Sequence, residues 1–350
     1  MTKKRRLRFL WPVLILFAVS VLAIFVVFLS GLDDFDLSKY EARDIHFDVS
    51  DASITGTLHL PEVENPPLAL LVHGDGPQDR YSAGGYLPLI RTLLDNGIAV
   101  FSWDKPGVGS STGNWLTHSM DERATLAETA LVALRKQPDV KASVAGFVGF
   151  SQAGWVLPKL AAGDTEAGFF VLVGAAINWQ RQGTYFKKKR LQLEGLDEEA
   201  IEPALLEHHN MPSLQDGPDD ITDPHAMTPD RLGFVRRNML SDSSSDLKHA
   251  NAPFLIMHGD NDLNVDPDYN QDQYRALLGQ RNSANTYVLI EDATHGLLSS
   301  DLFNYQLPDE MPFWVEYVFM GLGRESYAPD ALETLTSWIN ERARQIESTR

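Results

Sequence analysis

Six short, almost unbroken apolar runs punctuate this chain: LALLVHG (68–74), IAVFSWD (98–104), VAGFVGF (144–150), GFFVLVG (168–174), APFLIMHG (252–259) and TYVLIED (286–292). A strand that is apolar at consecutive positions buries both faces, and the arrangement that achieves this is a parallel sheet covered by helices on either side. Helix-like periodicity falls between and after the runs, at 84–95, 120–136, 153–162, 268–279 and 330–346. Ahead of them, SKYEARDIHFDVSDASITGTLHLP (38–61) alternates apolar and polar residues and reads as two strands turning at 50–52. The rhythm stops between 177 and 250, where a polar helix-prone segment (KKKRLQLEGLDEEAIEPALLEHH) is followed by a Pro/Asp-rich loop. That stretch reads as a helical cap inserted between the two halves of an α/β core, 40–176 and 251–350.

The first residues carry a different signal. Lys3, Lys4, Arg5, Arg6 and Arg8 precede an apolar run of 21 residues, 9–29, the length at which a helix spans a hydrocarbon core. The run exceeds the roughly 7–15 apolar residues of a signal peptide, and no A-x-A cleavage site follows it. It therefore reads as an uncleaved transmembrane anchor. With five cations before it and Asp33, Asp34 and Asp36 after it, the positive-inside rule leaves residues 1–8 as a cytoplasmic tail. The remainder is expected outside the plasma (inner) membrane, in the periplasm or its equivalent. The net charge of −18 conceals this asymmetry: without those five cations, 25 basic residues face 48 acidic ones. Such a surface repels nucleic acid, so none is expected as a partner. With no cysteine, the chain has neither disulfides nor thiolate metal ligands.

Ser151 sits in GFSQAGW (149–155), between an apolar run and a helix-like segment. This is one residue away from the G-x-S-x-G turn that exposes a serine nucleophile between strand and helix. Ala153 stands where glycine is usual, a position that demands smallness more than a positive φ. A serine nucleophile needs a base, and the base needs an acid to orient it. His295, in a small-residue loop after the last apolar run, is the candidate base; sheets of this kind place their sites at the carboxyl ends of strands. For the acid, HGDNDLNVDP (258–267) offers Asp262, with Asp260 as the alternative that shapes the turn.

An oxyanion hole needs two main-chain N–H groups aimed at the developing alkoxide. The His73-Gly74-Asp75-Gly76 turn and the residue after the serine supply the candidates, the amides of Asp75 and Gln152. A carboxylate aimed at an oxyanion would oppose catalysis, so the Asp75 side chain is expected to turn away or cap a local amide. His73 is expected to hold the turn. The scheme requires no metal or cofactor, and His208-His209 in an acidic helix read as solvated.

Together HGDGPQDR, WDKPGVGSSTG, GFSQAGW, HGDNDLNVDP and THG, in this order, resemble bacterial members of the α/β-hydrolase superfamily of the acyl-esterase and serine-aminopeptidase-like type. The resemblance covers Ile54 to Gly296, excluding the cap. It implies an α/β-hydrolase fold, with Ser151 as nucleophile, Asp262 as acid and His295 as base. Lys105-Pro106 depart from the family's usual D-x-R-G-x-G loop, which is read as structural. The implied substrate is a small-molecule acyl ester or a short peptide, and a catalytically weakened binding protein is a third reading. Trp155 and Trp179, with Tyr185 and Phe186, are candidates for an apolar substrate pocket or, equally, for core packing. A peptidase would need an acidic subsite, for which Glu194, Asp197 and Glu198 are candidates. The aromatic segment 303–323 suits packing on the core or cap, or a membrane interface.

Overall fold

The computed structural model describes residues 3–138, 144–209 and 227–348. Its eight strands are β1 (Glu41–Val49), β2 (Ala52–Leu60), β3 (Leu68–Val72), β4 (Ala99–Trp103), β5 (Ala145–Phe150), β6 (Phe170–Val173), β7 (Phe254–Gly259) and β8 (Thr286–Ile290). They form one sheet in the order β1-β2-β4-β3-β5-β6-β7-β8. The alternating segment makes the β1–β2 hairpin, which joins β4 antiparallel. The six apolar runs supply the six remaining strands, all parallel to one another.

Period-two alternation explains why the runs are apolar throughout. Leu68, Leu70 and Val72 of β3 enter one core, while Ala69 and Leu71 enter the other. The first core is closed by helices α3 (Met120–Leu134), α4 (Leu157–Ala162) and α9 (Pro267–Leu278), the second by α2 (Leu87–Asp95) and α12 (Ala331–Ser348). Helix α3 begins at a capping box: Glu122 N–H donates to Ser119 Oγ at 3.2 Å, and Ser119 N–H donates to the Glu122 carboxylate at 2.6 Å. This fixes the first turn, which carries Arg123 towards the site.

The expected helix at 153–162 is broken. Residues Ser151–Trp155 form a 3₁₀ turn, and α4 spans only Leu157–Ala162. Pro158 is the reason, because a proline fits the first turn of an α-helix but not its interior. Between β6 and β7 the chain carries α5 (Trp179–Leu193), α6 (Glu198–His209), α7 (Pro229–Asn238) and α8 (Ser244–His249). Most of the Pro/Asp-rich loop and the side chains of His208 and His209 lie outside the described residues.

Helix α1 runs from Lys3 to Asp33, beyond the expected 9–29. Its stretch Ile15–Asp33 is, among the described residues, the one helix long and apolar enough to cross a membrane. The last turn docks on α11 (Phe313–Leu322), which follows the short α10 (Ser300–Phe303). A Cβ on Gly31 would lie 2.1 Å from the Gly321 carbonyl oxygen, and one on Gly321 would lie 2.5 Å from the Phe28 ring. Only glycine at both places allows this approach. Ionic groups then close the junction. Arg324 donates to Asp34 at 2.8 Å and to Asp95 at 2.7 Å, and Arg91 donates to the Asp33 carboxylate at 2.7 Å and the Asp36 carbonyl at 2.7 Å.

Candidate active site

The sheet brings the singled-out residues to the carboxyl ends of adjacent strands. Ser151 follows β5, and its φ of +51° is a left-handed conformation that non-glycine residues rarely adopt. Close packing supports the strain. A Cβ on Gly149 would fall 2.6 Å from the Ala153 methyl, and one on Gly74 would fall 3.2 Å from Ser151 Cβ. Ala153 is fully buried, and its methyl fits because Gly149 opposite has no side chain.

His295 reaches over the next strand end. Val173 pairs with Phe150, so Ser151 and Gly174 leave neighbouring strands side by side. A Cβ on Gly174 would lie 2.9 Å from His295 Nδ1, which places the imidazole directly on this glycine. The same Nδ1 lies 2.7 Å from Oδ2 of Asp262, whose side chain is wholly buried after β7. The other carboxylate oxygen accepts the N–H groups of Asn264 at 2.7 Å and Val265 at 2.9 Å. Burial alone would lower the pKa of His295, but the adjacent Asp262 carboxylate outweighs it and holds the imidazole above its ordinary value. Asp260 takes the other role weighed for it: its carboxylate accepts Ala293 N–H at 3.2 Å and shapes the turn.

The Asp75 carboxylate is engaged by two partners. Arg231 of α7 donates to it at 2.8 Å and Gln152 Nε2 at 3.0 Å. Arg123 continues the chain, donating to Gln152 Oε1 and to the His73 carbonyl, both at 2.6 Å. Desolvation would raise the pKa of Asp75, yet hydrogen bonding and charge from Arg231 bring it below the usual carboxylate range. His73 does hold its turn, with Nε2 at 2.5 Å from the Trp103 carbonyl and its ring stacked on Tyr86. Burial pushes its pKa down to about 3, so it stays neutral.

A family model described as the alpha/beta hydrolase family matches residues 69–304. The chain belongs to this family. The matched segment starts within β3 and runs past His295, so it contains Asp75, Ser151, Asp262 and His295. No curated protein sequence matches this one. Among solved structures, an esterase from Pyrococcus furiosus is 17% identical with a TM-score of 0.56, covering 82% of this chain and 92% of its own. Est1E from Butyrivibrio proteoclasticus, solved with ferulic acid, is also 17% identical, with a TM-score of 0.54 and coverage of 87% and 99%. At such identities the likeness is one of alpha/beta hydrolase fold.

Three features of this hydrolase were not legible beforehand. Lys105, in the departure from the family loop, is almost fully buried and donates to the carbonyls of Gly74 at 2.6 Å and Gly76 at 2.7 Å. Burial drives its pKa well below that of an ordinary lysine, so it acts as a short, desolvated clamp on the turn carrying Asp75. Arg123 and Arg231 converge on the same turn from helices 108 residues apart in sequence, a distance over which no local pattern operates. Tyr185 is a brace, its hydroxyl donating to the Asp262 carbonyl at 2.8 Å.

Of the two readings of Trp155, pocket and core, the packing matches the core. Its side chain is in the core, only 4% exposed, with the indole N–H donated to the Ile177 carbonyl at 3.0 Å. Trp179 is half-buried against it, ring centroids 4.6 Å apart, so the pair ties the elbow to the inserted helices. Neither lines the cavity beside the site. That cavity, about 550 Å³, is bounded by Phe150 and Gly296, the neighbours of Ser151 and His295, by Gly85 and Tyr86, and by Phe35 and Phe319 at its far side.

Proposed function

We propose that this alpha/beta hydrolase is a membrane-anchored serine hydrolase that cleaves a carboxylic ester through an acyl-enzyme. The observation that carries the reading is the pairing of half-buried His295 with buried Asp262, 2.7 Å apart, seated on the strand end beside a serine in left-handed conformation. In this scheme Ser151 Oγ attacks the ester carbonyl while His295 Nε2 takes its proton. Asp262 holds the proton of Nδ1 and so fixes the tautomer that leaves Nε2 free to accept. The tetrahedral oxyanion is received by the N–H groups of Asp75 and Gln152. His295 returns the proton to the leaving alcohol, and the acyl group remains on Ser151. Water, deprotonated by His295, then releases the carboxylic acid and restores the serine.

The three carboxylates that a peptidase reading would use as its acidic subsite are each already engaged within the insertion. Glu194 pairs with Arg190 at 3.1 Å, Glu198 with Lys188 at 2.9 Å, and Asp197 accepts Ala200 N–H at 3.0 Å. The proposed anchor is α1, with its basic residues in the cytoplasm and the hydrolase domain outside the inner membrane. Ser151→Ala should abolish p-nitrophenyl butyrate turnover and fluorophosphonate labelling. Retention of either sinks the assignment, and turnover of aminoacyl-arylamides in preference to esters moves it to the peptidase.

A further inference from the structure

The surface around α11 combines three features that the hydrolytic scheme does not use. The first is exposure: Phe313 is 81% exposed, Tyr317 60% and Trp314 46%, on a helix whose one charged residue is Glu316. The second is position. This helix crosses α1 at Phe28 and Gly31, in the last turn of the apolar stretch that ends at Asp33. A helix held there lies at the boundary between acyl chains and headgroups, the depth at which Trp and Tyr concentrate. The third is rigidity. The Gly31–Gly321 crossing, the Arg324–Asp34 and Arg91–Asp33 pairs, and the edge-on packing of Phe35 against Phe319 fix the domain's orientation on its anchor.

The cavity beside the proposed nucleophile runs into this same corner. Its lining includes Phe150 and Gly296 together with Phe35, Met311, Phe319 and Met320. It is thus shared between the residues flanking Ser151 and His295 and those that follow α1 or belong to α11.

We propose that α11 is seated in the bilayer surface and that the cavity receives the acyl chain of a lipid-like ester directly from the outer leaflet. This rests on the esterase reading for its chemistry but not for the membrane seat. The seat carries no lysine or arginine of its own on α11, so it suits a zwitterionic phosphatidylcholine surface of zero net charge, with attraction from the aromatic side chains rather than from net charge.

The test uses the full chain reconstituted in phosphatidylcholine vesicles. In the first arm, lipids brominated near the glycerol end should quench part of the tryptophan emission, and Trp314→Phe should lower that part, leaving what Trp11 of the anchor contributes. In the second arm, Phe313→Ser with Trp314→Ser and Tyr317→Ser should lower turnover of a long-chain ester dispersed in the bilayer by about tenfold. Turnover of water-soluble p-nitrophenyl butyrate should stay within twofold. In the third, Leu298→Trp, which fills the cavity, should shift preference from long to short acyl chains. Unchanged quenching in Trp314→Phe, or an equal response to both esters in the triple variant, overturns the proposal. A chain that hydrolyses neither ester but shows the Trp314 quenching overturns the esterase reading while the membrane seat stands.

Discussion

Replacing Gly174 by alanine probes the placement of the base without touching any reacting atom. The new methyl would sit 2.7 Å from the His295 carbonyl oxygen, 2.9 Å from Nδ1 and 3.0 Å from Cε1. Ordinary carbon contacts need about 3.5 Å, so the imidazole and its backbone must retreat by roughly 0.5–0.8 Å. The bond to Asp262, now 2.7 Å, has no compressible slack on the other side, because the Asp262 carboxylate is fixed by the amides of Asn264 and Val265. A displacement of this order in a catalytic group costs about 10²-fold in rate, or about 2.7 kcal/mol. Gly174 also has a φ of +57°, so alanine there adds about 1–2 kcal/mol of backbone strain that destabilises the fold irrespective of the site. Gly195 supplies the control. Its φ is +87°, and nothing lies within 4 Å of a Cβ built on it. Both variants should therefore show similar losses of thermal stability. Only Gly174→Ala should lose kcat/KM for p-nitrophenyl butyrate, by about 10²-fold, with Gly195→Ala within twofold of the parent. A folded Gly174→Ala protein within threefold of the parent would refute the placement of His295 over this strand end.

Two further outcomes follow from the electrostatics of the site. Because Asp262 holds the pKa of His295 above its ordinary 6.5, the acidic limb of the pH profile for fluorophosphonate inactivation should lie above pH 6.5. In Asp262→Asn it should move to lower pH as the rate falls about 10⁴-fold; the pair's contribution to folding is fullest below the unfolded imidazole's pKa and is lost as pH rises through the raised folded value. Arg231→Ala should lower kcat about threefold to tenfold by leaving the Asp75 charge uncompensated beside the oxyanion, a modest effect because the pair is partly exposed. Adding Asp75→Asn should restore kcat in that background, and failure of this rescue shows that Arg231 acts by another route.

The elements that came through the sequence are those whose physics is local. Five of the six apolar runs, β3 to β7, are strands buried on two faces, which requires consecutive apolar residues, whereas β8 is an edge strand with Leu289 exposed, and the alternation of β1 matches its place at the opposite edge. Asp262 was distinguishable from Asp260 only weakly, by spacing, and the difference became geometric once the loop after β7 turned one carboxylate towards His295 and the other towards Ala293. Trp155 stayed open between pocket and core on sequence alone, because an aromatic four positions after the serine says nothing of which way the backbone turns. The 3₁₀ turn imposed ahead of Pro158 points it inward.

The sequence by itself determined the doubly covered sheet, the hairpin, the apolar N-terminal helix and the serine, acid and base candidates at strand ends, since each is written in residues near one another. Only the tertiary structure decided how Asp75 is tolerated beside the proposed oxyanion site. Lys105, Arg123 and Arg231 come from three separate elements, and cations that meet only through folding leave no periodicity in the chain. The same holds for the corner where α1, α11 and the cavity join. Gly31 and Gly321 are 290 residues apart, and what each glycine is for becomes visible only when the other lies against it.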